Sequence, residues 1–115
     1  MLRVFKNGFR YAFAGLALAW TKGINFKIQT LSAFIVLVGA WRLHFSPVEF
    51  MILLLTISLV LAAETFNTAL EELCDKFQPT HDPHIKRIKD LSAAAVLITA
   101  IGALGVGTVL TISHL

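Results

Sequence analysis

The chain has 115 residues, of which 57% are apolar and only 15% charged, and its mean hydropathy is +0.75. A soluble domain this short needs more polar cover, so the composition excludes an ordinary water-soluble domain and points to a single membrane domain over 1–115. The net charge of +3 brings no basic patch interleaved with aromatics, which sets nucleic acid aside, and one cysteine, Cys74, excludes an internal disulfide and any multi-cysteine metal site.

At the N-terminus, "MLRVFKNGFRYAFAGLALAW" has a basic start and a partly apolar continuation. Lys6, Arg10 and Tyr11 interrupt it, and no convincing cleavage site precedes "TKGINFK", so the segment is expected to belong to the mature protein. Phe5, Phe9, Ala12, Phe13 and Leu16 recur at spacings of three and four beside Lys6 and Arg10. That pattern predicts an amphipathic helix over about 4–22, lying at the membrane surface or packed against the bundle.

Three apolar runs follow. A bilayer core of about 30 Å requires roughly 20 helical residues. "IQTLSAFIVLVGAWRLH" meets this once its polar start is included, which predicts a span over about 26–45. Ser46-Pro47 marks a turn, because proline disfavours helix at the preceding residue. The second run begins at Val48, and its helix is expected to continue to about Phe77. "QPTHDPH" reads as a polar loop, and "LSAAAVLITAIGALGVGTVLTISHL" supplies a third span over about 88–112. Nine of the ten Lys and Arg residues fall before the first span or between the second and third. By the positive-inside rule, the N-terminus and the stretch about 76–89 are cytoplasmic.

The second run ends in "AETFNTALEELCD". At about 100° per residue, Glu64, Asn67, Thr68, Glu71 and Asp75 share one narrow sector of a helix, with Glu72 toward its edge. Glu64 lies about 10 Å deeper along the axis than Glu71. A charge near hydrocarbon is costly unless it faces protein or water, so the aligned set is a candidate functional site. Glu72 alone is better read as a helix emerging into water. Such a stripe suits proton-coupled transport, cation binding, or phosphoryl transfer at a membrane surface, where a base and Mg²⁺ ligands at different depths would be used together. In "IKRIKDLSAAAV", Asp90 can cap the third span and Lys89 can anchor it or contact a phosphate. There is no Walker sequence and no dinucleotide fingerprint. His81, His84 and Cys74 lack a full metal-ligand set. Ala95, Thr99, Ala103, Gly107 and Thr111 form a small-residue row suited to close helix packing, within the chain or between copies.

"AETFNTALEELCD", followed by Asp90 in "KDLSAAAVL", resembles the small bacterial integral-membrane lipid kinases, the prokaryotic diacylglycerol kinase and undecaprenol kinase family. The family pattern is close to "E-x-x-N-[TS]-A-[IL]-E-x-x-x-D … K-D-x-x-[AS]-[AG]-A-V-L", and "FRYAFAGL" and "NFKIQ" extend the likeness over nearly the whole chain. The resemblance implies an all-α membrane protein of three transmembrane helices and an amphipathic surface helix, assembled as a homotrimer in the bacterial inner membrane. It implies transfer of the ATP γ-phosphoryl group to a lipid hydroxyl with Mg²⁺ as cofactor. Carried over, Glu64 is the general base, Asn67 shapes the catalytic site, and Glu71 binds Mg²⁺, with Asp75 a second candidate ligand. Tyr11, Glu71, Thr80, His81, Asp82, Lys89 and Asp90 fall at nucleotide-contacting positions, and Glu64, Trp20, Asn25, Lys27 and Gln29 at lipid-contacting ones.

The chain departs from the family at two positions. Gly23 stands where the family carries a second metal-binding glutamate, and no acidic residue precedes Glu49. Asp75, Glu72, Gln29 or water must then complete the coordination, or the protein is an altered member. Val4 occupies the apparent place of the family's N-terminal arginine, with Arg3 adjacent. Diacylglycerol is the first expected acceptor and undecaprenol the alternative. A small proton- or cation-coupled transporter and a catalytically silent subunit are the competing classes.

Overall fold

The computed structural model describes residues 1–77 and 82–115, which form four helices: α1 (Leu2–Lys22), α2 (Ile24–Arg42), α3 (Pro47–Phe77) and α4 (Pro83–Ser113). α2, α3 and α4 are each long and apolar enough to cross a membrane. At 1.5 Å per residue, the 19 residues of α2 span about 28 Å, close to a bilayer core. The 31 residues of α3 and of α4 reach about 46 Å, so both project beyond it.

Local chemistry sets the breaks between helices. Gly23 alone separates α1 from α2, with φ −111° and ψ 108°, an extended backbone open to any L-residue. Its N–H still donates to Ala19 O at 3.1 Å, and its carbonyl accepts from Lys27 N at 3.3 Å, so the chain turns without stranding a backbone group. His44, at φ 59°, turns the chain after α2. Ser46 and Glu49 then form a reciprocal capping box at the start of α3: Glu49 Oε1 accepts from Ser46 N at 2.8 Å, and Ser46 Oγ from Glu49 N at 3.2 Å.

α4 begins earlier than the sequence reading expected. Asp82 is its N-cap, accepting from His84 N at 2.8 Å and Ile85 N at 3.2 Å, and Pro83 occupies the first turn. The start is therefore Pro83 rather than about 88, and Asp90 lies inside the helix, where it cannot cap it. Asp90 instead accepts from Lys86 one turn earlier, at 2.6 Å.

α3 is the central element, with α4 packed most extensively along it, α2 beside it, and the end of α1 touching both α2 and α3. The chain buries few side chains by itself: Ala19, Phe26, Ala40, Leu53 and Cys74 among apolar residues, and Glu64, Asn67 and Ser92 among polar ones. Large residues such as Phe34, Ile35, Leu55, Leu97 and Leu104 point outward, an arrangement suited to hydrocarbon rather than water. Thr30, Thr56, Thr65, Thr68 and Thr108 each donate to the carbonyl four residues back, which satisfies their hydroxyls inside apolar helices. At one end of the bundle, His114 Nε2 lies 2.8 Å from Glu49 Oε2, and its ring stacks on Phe45 at 4.4 Å. This contact ties the α2–α3 turn to the end of α4.

Candidate functional site

The polar sector of α3 is turned partly into the protein. Glu64 is 4% exposed and Asn67 8%, whereas Glu71 and Asp75, two and three turns further on, are exposed. Glu64 lies 17 residues beyond Pro47, about 26 Å along the axis, near the far boundary of a bilayer core that starts at the head of α3. The stripe thus runs from a buried carboxylate to exposed carboxylates two and three turns further along α3.

Two other helices complete the surroundings of this face. From α2, the Gln29 amide approaches the Glu64 carboxylate. Gln29 Oε1 is buried without a hydrogen-bond partner among the described residues. From α4, Ser92 Oγ donates to Asn67 Oδ1 at 2.7 Å, and Asn67 Nδ2 donates in turn to Glu71 Oε1 at 3.2 Å. An apolar groove of about 690 Å³ runs between α2, α3 and α4, with Gln29, Ser32 and Leu61 among its lining residues toward one end and Leu53 and Thr111 toward the other. Ala103 and Gly107 also line this groove, so much of the small-residue row on α4 faces the inside of the bundle.

Ion pairs separate the carboxylates by role. Glu72 accepts from Lys22 at 2.9 Å, which ties the end of α1 to α3, so Glu72 does more than emerge into water. Asp75 accepts from Lys89 at 2.6 Å across α3 and α4, and Asp90 pairs with Lys86. All three pairs are solvent-exposed and contribute little to stability. Among the described residues, neither Glu64 nor Glu71 has a cationic partner. Among the described residues, the stripe therefore holds two carboxylates outside any salt bridge at different depths, with Asn67 between them and Lys89, paired to Asp75, close enough to Glu71 to feel its charge.

The fit of Mg²⁺ to this site follows from the same pairings. Among the described residues, no three His, Cys, Asp or Glu side chains converge on one point. Glu71 offers an exposed carboxylate with one oxygen engaged by Asn67, while Asp75 is held by Lys89 and Glu72 by Lys22. One carboxylate and no closed cage suits an ion that keeps several waters and is also held by nucleotide phosphates.

The remaining sequence-selected residues are dispersed. Lys89 reaches the α3 stripe through Asp75. Lys27 Nζ lies over the Trp20 ring, 5.8 Å from its centroid, next to the α1–α2 break. Asn25 and Tyr11 are exposed, Tyr11 at 71% on α1. Asp82 caps α4, and Thr80 and His81 lie outside the described residues. Sequence reasoning missed Ser92, which pairs with a residue 25 positions away and falls where the family pattern accepts any residue.

Comparison with known proteins gives one answer. The family model described as prokaryotic diacylglycerol kinase matches residues 10–111. A Synechocystis sp. protein named diacylglycerol kinase is 39% identical over 100 residues, covering 86% of this chain and 57% of that protein. The diacylglycerol kinase of Escherichia coli strain K12 is 29% identical over 104 residues, covering 90% of this chain and 85% of the relative. The undecaprenol kinase of Bacillus subtilis strain 168 is 34% identical over 77 residues, covering 67% of this chain and 63% of the relative. The chain thus spans between just over half and most of the length of these relatives.

Proposed function

This chain belongs to the prokaryotic diacylglycerol kinase family, and from that premise we propose that it transfers the γ-phosphoryl group of ATP to the hydroxyl of a membrane lipid alcohol. Diacylglycerol, giving phosphatidic acid, is the first substrate we propose, because relatives of that name align along most of this chain. Undecaprenol, giving undecaprenyl phosphate, is the second, supported by the Bacillus subtilis relative. Family membership argues against the transporter reading.

The observation that carries the mechanism is a pair of carboxylates outside any salt bridge among the described residues, Glu64 buried and Glu71 exposed two turns further along α3. Glu64 takes the proton of the lipid hydroxyl as that oxygen bonds to the γ-phosphorus and the bond to the ADP leaving group breaks. The apolar groove receives acyl or prenyl chain, and Gln29, whose Oε1 is a buried acceptor awaiting a donor, helps hold the hydroxyl beside Glu64. Glu71 would hold the Mg²⁺ that accompanies ATP, an ion that would supply neutralisation of phosphate charge. Lys89, steadied by Asp75, contacts phosphate oxygens from the neighbouring helix. Asp75 is thereby a support for Lys89 rather than a metal ligand. Tyr11, Asp82 and Asp90, with Thr80 and His81, belong to the nucleotide side of the site, and Trp20, Asn25 and Lys27 to the lipid side.

We further propose that α1 lies on the cytoplasmic surface of the inner membrane. Phe5, Phe9 and Phe13 stand exposed along it, next to Lys6 and Arg10. The Lys and Arg distribution puts the N-terminus and the α3–α4 connection on that same ATP-supplied side. The working unit is a homotrimer, a reading that rests on the family likeness and suits a chain that buries so little of itself. The test is incubation of purified protein with γ-labelled ATP, Mg²⁺ and a total membrane lipid extract. Label is expected in phosphatidic acid or, for the second reading, undecaprenyl phosphate. Label in neither, with substrate-driven proton flux instead, would return the protein to the transporter class.

A further inference from the structure

Ser92 has no part in the mechanism above, yet it is buried, at 8% exposure, against an equally buried Asn67. The polarity of the chain Ser92–Asn67–Glu71 follows from its members. An ionised carboxylate only accepts, so Glu71 Oε1 draws the Asn67 amide nitrogen toward itself, at 3.2 Å. The amide oxygen then faces α4, and the Ser92 hydroxyl must donate to it, at 2.7 Å. Without that hydroxyl, Oδ1 would be buried with no donor, and the amide would lose its reason to keep one orientation. Glu71, exposed and in no salt bridge among the described residues, would lose its one side-chain hydrogen bond among them, the contact that restricts its rotamers.

Resting on the lipid-kinase reading, we infer that Ser92 is a positioning residue for phosphoryl transfer: through Asn67 it fixes one oxygen of Glu71 and leaves the other free to meet a metal–nucleotide. It touches neither substrate nor metal, and its effect falls on metal affinity rather than on the lipid.

The test compares wild type, Ser92→Ala, Ser92→Thr, Asn67→Ala and the double variant Asn67→Ala/Ser92→Ala in detergent. Free Mn²⁺ is read by electron paramagnetic resonance in the presence of a non-hydrolysable ATP analogue. Ser92→Ala is expected to raise the Mn²⁺ dissociation constant about three- to tenfold, the net worth of one hydrogen bond. Ser92→Thr, which keeps the hydroxyl, should lie closer to wild type, and Ser92→Ala should add nothing in the Asn67→Ala background. In the transfer assay, half-saturating Mg²⁺ should move by the same factor while KM for the lipid stays in place. Unchanged Mn²⁺ binding in Ser92→Ala, or effects that multiply with Asn67→Ala, would overturn the inference. A wild type that binds Mn²⁺ with the analogue but labels no lipid would overturn the kinase reading instead, and the binding comparison would still decide what Ser92 does.

Discussion

Replacing Asn67 with alanine tests the buried link between α3 and α4. The substitution removes the acceptor of the Ser92 hydroxyl, whose residue is only 8% exposed between α3 and α4. A buried donor left without a partner costs about 1–3 kcal/mol. The longer bond to the exposed Glu71, 3.2 Å, adds no more than about 1 kcal/mol. Alanine, the better helix former, returns about 0.5 kcal/mol. The expected net loss is about 0.5–3.5 kcal/mol. Reversible unfolding in mixed micelles of rising dodecyl sulfate content, followed by the fluorescence of Trp20 and Trp41, measures it. The double variant Asn67→Ala/Ser92→Ala carries the sharper sign. Removing the stranded hydroxyl should make it more stable than Asn67→Ala alone. A double variant less stable than Asn67→Ala, or an Asn67→Ala indistinguishable from wild type, would mean that the Ser92–Asn67 bond is not a buried link that stabilises the fold.

Two further substitutions address the metal and nucleotide side. At Gly23 a Cβ would meet Ala19 O at 3.2 Å and Phe26 Cβ at 3.5 Å on an extended backbone, so Gly23→Glu should fold with a shift of a few tenths of an ångström. It is expected to lower half-saturating Mg²⁺ roughly tenfold, measured in the transfer assay; no change would mean that other groups already supply the coordination. Asp75→Asn releases Lys89 from an exposed pair at 2.6 Å, and should lower kcat/KM for ATP by no more than about fivefold. Half-saturating Mg²⁺ should stay where it was, and a large rise would restore Asp75 to the ligand set.

The three spans were legible because unbroken apolar runs have few interpretations, and the polar sector of α3 because helical period aligns Glu64, Asn67 and Glu71 without reference to any other element. The start of α4 was misjudged for a local reason. Asp82-Pro83 is a helix-initiating pair, but within "QPTHDPH" the prolines read as breakers, and Asp90 drew attention as the cap. Pairings across helices were beyond reach. Lys22 with Glu72, Lys89 with Asp75 and Ser92 with Asn67 join residues 50, 14 and 25 positions apart, and only packing brings them together. These pairings decide which carboxylates sit in ion pairs among the described residues, so they change the site most. They pair Asp75 with Lys89 across α3 and α4, and they make Glu72 a tether for α1.

The proposed lipid kinase chemistry depends first on the buried Glu64 carboxylate as the base toward the lipid hydroxyl. The most direct measurement is transfer of γ-labelled phosphate to lipid by Glu64→Gln beside wild type, with the oligomer size of both read in detergent. Glutamine keeps the shape and cannot take the proton, so transfer should fall by about 10²–10⁴-fold at unchanged oligomer size. Undiminished transfer by Glu64→Gln would contradict the account.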